Sequence, residues 1–257
     1  QEEMAVWDSS VTHRPVQPNP DGWVELEVAL AMGIKDFLSK IEFSRVHVAV
    51  SGGIDSALVM ALAARALGAE KVTGFSLPSM YSSEGSKTDA EKLCNQLGVP
   101  IHTIPIEKLF LEYQHALSPV FDGLPPDITE ENLQARIRGM LMMAFSNKTG
   151  SILLATGNKS ELATGYSTLY GDLAGSLAPI GDLLKTEVYS LSRSINRNGE
   201  IIPETSLTKP PSAELLPGQI DQDSLPNYEI LDQILRLYVI ENLSRSDIVA
   251  QGFDDHT

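Results

Sequence analysis

The string Ser51-Gly52-Gly53-Ile54-Asp55-Ser56 carries residue types suited to holding a phosphate. It follows a short β-branched run, Val46-His47-Val48-Ala49-Val50, and precedes a helical pattern over residues 56–67 that closes on Gly68. An anion held there would meet the carboxyl end of a strand and the first turn of a helix, whose N–H groups lack partners within the helix. Glycines let the backbone approach the anion closely, and Ser51 and Ser56 add hydroxyl donors. Asp55 is the unusual member, because a carboxylate beside a polyphosphate repels it unless a cation lies between them. A magnesium ion resolves that conflict. A tight turn with Ser56 as helix cap accounts equally well for Ser-Gly-Gly alone, but not for the whole string. The string is neither a Walker loop, since no Gly-Lys-Ser/Thr follows, nor a Rossmann fingerprint, since Gly-x-Gly-x-x-Gly is absent.

The elements that must position this loop are readable from periodicity. Helical spacing of Leu26, Ala29, Leu30, Ile34 and Phe37 predicts an amphipathic helix over residues 24–40. Strands are predicted at 46–50, 71–77, 101–106 and 151–156, and helices at 56–67, 87–97, 110–117, 129–147, 185–196 and 232–241, with Ser244 capping a short final one. Strands alternating with helices imply parallel pairing and right-handed crossovers, hence an α/β fold with a doubly wound, open parallel sheet flanked by helices. After the fourth strand the pattern loosens up to residue 182, and long irregular segments inside a domain are usually functional or disordered. Residues 1–22, with Pro15, Pro18 and Pro20, read as an arm or linker remnant, and residues 23–257 as one domain.

Composition limits the partners. The chain has 257 residues, 42% of them apolar, enough for a substantial core. Its single cysteine, Cys94, excludes an internal disulfide and a zinc site built on several thiolates, and reads as a buried apolar residue. With 34 acidic against 19 basic side chains the net charge is -15, so no nucleic acid is expected as partner. Anionic substrates then require cations gathered locally or recruited metal. No apolar run approaches the ~20 residues that span a bilayer, and the acidic start is unlike a secretory signal, so a soluble cytoplasmic protein is expected. Met140, Leu141, Met142, Met143 and Phe145 read as core, although they cover more of the helix circumference than one core face needs. Taken alone, Arg136 and Arg138 read as solvated charges. His13, His47, His102, His115 and His256 form no motif.

Further strings join the first. They are Pro78-Ser79-Met80-Tyr81-Ser82-Ser83-Glu84-Gly85-Ser86, Glu131-Asn132-Leu133-Gln134-Ala135-Arg136-Ile137-Arg138, Thr156-Gly157-Asn158-Lys159-Ser160-Glu161, Tyr170-Gly171-Asp172 with Lys185-Thr186, and Lys209-Pro210-Pro211-Ser212-Ala213-Glu214-Leu215. The glycine loop resembles the pyrophosphate loop of the adenine-nucleotide α-hydrolase superfamily. Its members, which include GMP, argininosuccinate, asparagine and NAD synthetases and tRNA thiolation enzymes, split ATP between the α and β phosphates. The full set resembles NAD synthetase, most closely the synthetase portion of glutamine-dependent enzymes. Ammonia-dependent relatives usually carry Asp-His-Ala-Ala-Glu where this chain has Asn158-Lys159-Ser160-Glu161.

The resemblance implies ATP-dependent amidation of deamido-NAD by ammonia through an acyl-adenylate, releasing pyrophosphate and AMP. It implies Asp55 and Glu161 as magnesium ligands and Asp55 and Lys185 as catalytic residues. ATP would be bound by Ser51, Gly52, Gly53, Ile54, Asp55, Ser56, Thr156, Lys185 and Ser212, and deamido-NAD by Asn132, Arg136 and Glu161. A homodimer, with the dinucleotide near the subunit boundary, is implied as well. The chain departs from the family pattern at three places. It holds no amidase domain with a Glu, Lys and Cys set; Leu169 and Ser176 stand where ammonia-dependent relatives have Lys and Asp; and a basic segment usual after the position of Thr257 is missing. Two rival readings are another ATP-pyrophosphatase enzyme, such as a GMP synthetase, and a protein that binds ATP without chemistry. A thiolation enzyme would need a basic surface and a reactive cysteine.

Overall fold

The computed structural model of the chain describes residues 22–255 and 257; the arm expected at 1–22 falls outside them except for Gly22, which opens the first helix, and so do His13 and His256. In chain order the elements are α1 (Gly22–Lys40), β1 (Val46–Ala49), α2 (Ile54–Leu67), β2 (Val72–Ser76), α3 (Glu84–Leu97), β3 (Ile101–Thr103), α4 (Glu107–Phe121), α5 (Ile128–Thr149), β4 (Ile152–Leu153), α6 (Lys159–Thr164), α7 (Lys185–Ile195), α8 (Glu204–Thr208), α9 (Tyr228–Leu235) and α10 (Arg245–Ala250). The strands pair in parallel in the order β3-β2-β1-β4. β1 therefore has β2 on one side and β4 on the other, and the chain reverses its winding direction between β1 and β4. Ligands of open α/β sheets bind in the crevice at such a switch point, beyond the carboxyl ends of the strands.

Central position explains the composition of β1 and α2. Val46 and Val48 are fully buried within the cluster formed with α1, α2, α3 and α7, and α2 is apolar on nearly every side because it is enclosed by the sheet, α1 and α7. Each of Leu58, Met60 and Leu62 contributes roughly 1.5–3 kcal/mol on burial. A second cluster of Phe75, Leu77, Ile106, Phe110, Ile137, Met142 and Leu153 seats α4 and α5 on the opposite face. His47, in the central strand, is buried and satisfied. Its Nδ1 lies 3.0 Å from the Ser151 hydroxyl oxygen and its Nε2 3.0 Å from the Met142 carbonyl. Burial lowers its pKa, so it is held neutral.

Several boundaries differ from the periodicity. α3 begins one turn earlier than expected, because Ser83 caps it by accepting from the Ser86 N–H. β4 has two residues, and its pairing continues only as a bridge from Leu154 to Leu177. The loose segment after it contains α6, too short to carry a period, held by a capping box of Asn158 and Glu161. The helix expected from 232 starts at Tyr228 and passes into a π-helical turn at Arg236–Ile240. On α5 only part of the apolar stripe is core: Met142 is buried, but Met140 is 65% exposed and Met143 lies partly open, since a single sheet face covers one side of that helix. Among the described residues no helix is long and apolar enough to cross a membrane.

Candidate active site

The glycine loop turns where the switch point requires it. Gly52 has φ of +81°, and a Cβ there would lie 2.3 Å from the Ser86 carbonyl oxygen, so neither the backbone conformation nor the space admits a side chain. Its own carbonyl accepts from the Ser206 hydroxyl at 2.9 Å, which ties the loop to α8. Gly53 is the N-cap of α2 and supplies no side-chain cap, leaving first-turn N–H groups directed at the cleft. The Ser51 and Ser56 hydroxyl oxygens lie 3.2 Å apart, and Ser51 Oγ accepts from the Gly53 N–H.

Three charged side chains from three elements meet beside this loop. Lys185, the first residue of α7 and 2% exposed, places Nζ 2.6 Å from Asp55 Oδ2 and 3.1 Å from Glu161 Oε1. Asn158, fully buried, links the carboxylates: its Nδ2 donates to Asp55 Oδ1 at 2.9 Å, and its Oδ1 accepts from the Glu161 N–H at 3.0 Å. Burial pushes the Glu161 carboxyl up to about 7, helped by the charge of Asp55 and opposed by Lys185. Burial also opposes the Lys185 ammonium, but the two carboxylates outweigh it and hold its pKa well above the ordinary lysine value.

These groups open into a cleft of about 770 Å³. Ser51, Gly53, Ile54, Asp55, Ser56, Asn132, Thr156, Glu161, Lys185 and Ser212 all line it, so most of the residues singled out in the sequence share one cavity. Asn132 Oδ1 accepts from the Thr168 hydroxyl at 2.6 Å, and the Ser212 hydroxyl donates to the Gln219 carbonyl at 2.5 Å. Arg136 is not brought in. It is exposed, and its Nε donates to the Leu169 carbonyl at 3.2 Å. Leu169 and Ser176 lie outside the lining as well.

Other residues are present that spacing did not single out. Arg138 lines the cleft, its Nε donating to the Leu77 carbonyl at 2.9 Å; burial brings its pKa down to about 10, against the pull of Glu214. It is therefore not the solvated charge expected for an arginine on a helix. Glu214 accepts from the Ser83 and Ser86 hydroxyls at 2.9 and 2.6 Å, and Lys209 Nζ donates to Ser86 Oγ at 2.9 Å, so the segment after α8 closes over the start of α3. These partners are more than 120 residues apart, and helical or strand period carries no signal for them. Their presence in the quoted strings was the only sign.

Two carboxylates beside a phosphate-type loop suit magnesium, which is commonly bound through one or two carboxylates with substrate phosphates and waters completing the shell. Among the described residues no group of three or more His, Cys, Asp or Glu side chains is gathered for a metal, so the protein's own share would be those two.

A model of the NAD synthase family matches residues 27–257. The chain belongs to that family. It is 52% identical over 244 residues to a protein of Thermotoga maritima named glutamine-dependent NAD(+) synthetase, across 94% of this chain and 42% of that one. A solved glutamine-dependent NAD+ synthetase of Acinetobacter baumannii, in complex with ADP, superposes with a TM-score of 0.74 at 39% identity, covering 95% of this chain and 44% of that one. An NMN synthetase of Francisella tularensis superposes with a TM-score of 0.76 at 27% identity, covering 83% and 85%. The chain thus spans less than half the length of its glutamine-dependent relatives in the NAD synthase family.

Proposed function

We propose that this chain forms the amide of NAD from deamido-NAD, ATP and ammonia. The observation that supports it best is the convergence of Asp55, Glu161 and Lys185 with the Ser51–Ser56 loop in one cleft at the switch point, in a member of the NAD synthase family. The nicotinate carboxylate oxygen attacks the α-phosphorus of ATP, and the bond to the bridging oxygen of pyrophosphate breaks. Ammonia nitrogen then attacks the activated carbonyl carbon, and the carbon–oxygen bond to AMP breaks with release of a proton. Backbone N–H groups of the loop and of the first turn of α2 bind the phosphates, and Thr156 and Ser212 border them. Lys185 holds its charge toward the α-phosphoryl oxygens, where negative charge gathers in the first step. Asn132 orients deamido-NAD.

Magnesium belongs to this proposal. Seven carboxylates and four cations line the cleft, an excess that repels ATP unless divalent cations accompany it. Asp55 and Glu161 would hold the ion, which when bound neutralises charge on the departing pyrophosphate. A cytoplasmic setting and a homodimer complete it: Val120 on α4, Leu124 in the turn after it, and Ile128 and Met140 on α5 are each exposed, and a second copy would cover apolar side chains of this kind.

The test is to mix the chain with ATP, magnesium, deamido-NAD and ammonium and to measure NAD, AMP and pyrophosphate. Glutamine in place of ammonium is expected to give no product, since the one cysteine is buried with its thiol pushed up to about 11. Pyrophosphate release with xanthosine monophosphate and not with deamido-NAD would favour a GMP synthetase, product from nicotinic acid mononucleotide alone would favour an NMN synthetase, and ATP binding without pyrophosphate release a non-catalytic protein.

A further inference from the structure

Helix α9 carries none of the residues assigned above, yet it reaches Lys185 at both ends, through Ser160 and Thr186 at the backbone and directly at the ammonium. At the backbone end, Asp232 is 3% exposed and accepts two hydrogen bonds, from the Ser160 hydroxyl to Oδ1 at 2.5 Å and from the Thr186 N–H to Oδ2 at 2.7 Å. Ser160 Oγ accepts in turn from the Lys185 N–H at 2.9 Å. Leu184, the N-cap residue of α7, provides no side-chain cap, so Asp232 takes over that office from another helix and sets its charge at the positive end of the α7 dipole. At the other end, the Tyr228 ring centroid lies 5.3 Å from Lys185 Nζ, and the Tyr228 hydroxyl is fixed by donating to Asp221 Oδ2 at 2.8 Å. Positions 228 and 232 are one helical turn apart and share a face. Tyr228, Leu231 and Leu235 pack on Leu184, directly before the lysine.

We propose that Asp232 is a positioning residue for the amide-forming reaction: by fixing Ser160 and the first turn of α7, it sets the Lys185 ammonium between Asp55 and Glu161. The inference rests on the proposed reading of Lys185 as the lysine that meets ATP. A lysine stem is flexible in the open, but that of Lys185 is enclosed, its side chain being 2% exposed, so the place of its Cα decides where Nζ can stand. Ser160 neighbours Glu161 in α6, and the same contact therefore couples the carboxylate and the lysine. Asparagine at 232 would keep the volume but present an amide N–H₂ to one of two donors, leaving that donor unmatched.

The experiment compares kcat and KM in the intact protein for Asp232→Asn, Ser160→Ala, Lys185→Met and the double variant Asp232→Asn/Lys185→Met, with thermal midpoints recorded for each. Displacing a reacting group by roughly 1 Å costs about 10²-fold, so Asp232→Asn should lower kcat by about that factor with little change in KM for ATP. Ser160→Ala should move kcat in the same direction by less. In the Lys185→Met background, Asp232→Asn should lower kcat no further, because both act through one ammonium. Additive losses in the double variant, or a lowered midpoint with unchanged kcat, would show a plain helix cap and overturn the proposal. If Asp232→Asn fails to fold, the split between kcat and KM in Ser160→Ala decides by the same criterion. Wild-type turnover in Lys185→Met would reject the reading of Lys185 itself, whereas loss there with normal turnover in Asp232→Asn rejects only the role of Asp232.

Discussion

Asp55, Glu161 and Lys185 form a site with one cation too few. Two carboxylates share one ammonium, and burial first, with the Asp55 charge second, raises the Glu161 carboxyl to about 7 from an ordinary 4.5 against the pull of Lys185. The folded protein therefore keeps a proton that the unfolded chain releases near pH 4.5. The stability this adds is complete below that pH and is lost as pH rises through about 7. Without magnesium, the thermal midpoint of the wild type relative to Glu161→Gln should fall between about pH 5 and about pH 8, while Lys185 stays charged throughout. A flat difference would mean that Glu161 ionises as an ordinary carboxylate. At Asp55 the readout is turnover. Asp55→Asn keeps an acceptor for Asn158 but removes the charge, and losing one preorganised electrostatic contact typically costs ~10²–10³ in kcat. Near-normal turnover at limiting magnesium would reduce Asp55 to a helix-start residue.

At the scale of elements, the loop between β1 and α2 is where backbone geometry limits substitution most sharply. Gly52→Ala meets both a positive φ and the backbone of α3, and should cost about 1–3 kcal/mol in urea denaturation while raising KM for ATP. Gly53→Ala finds only the Ser51 hydroxyl at 3.2 Å with an ordinary φ, and should be the milder change by both measures. Equal effects would show that the approach of α3 does not constrain the loop. The same elements explain what could be read in advance. β1 and α2 are legible as apolar runs bounded by glycines, α7 by the period that its buried face imposes, and the loop because its chemistry is local. α6, with six residues, is too short for a period to form and is held by its capping box, whereas the fourth strand is legible at 151–156 but pairs as β4 over only two residues. The cleft position of Arg138 and the burial of Asp232 are not legible in the sequence, because the Leu77 carbonyl and the Ser160 hydroxyl that satisfy them lie 61 and 72 residues away. Met140 shows the converse: its type favours burial, yet among the described residues it is 65% exposed.

The whole molecule carries a net charge of -15, and its cleft is itself rich in carboxylates, so the proposed binding of ATP would depend on its counter-ions. Chelating magnesium should weaken ATP binding in calorimetry by at least about tenfold, roughly 1.4 kcal/mol, and undiminished affinity in a chelator would reject metal-assisted binding. The proposed homodimer bears on the other substrate. Arg136, matched to deamido-NAD by the family resemblance, is exposed and outside the cleft, and Met140 follows it by one turn on α5 with its side chain 65% exposed. A dinucleotide that reaches both Asn132 within the cleft and Arg136 beyond it must extend toward the apolar surface of α4 and α5. A second copy laid on that surface would close the outer end of the dinucleotide site while leaving the loop and Lys185 wholly within one subunit. Met140→Glu should then shift the particle measured by light scattering from twice 27.9 kDa toward a single chain, and should raise KM for deamido-NAD more than KM for ATP. A wild-type chain that stays monomeric and binds both substrates at full strength would remove the second copy from the site.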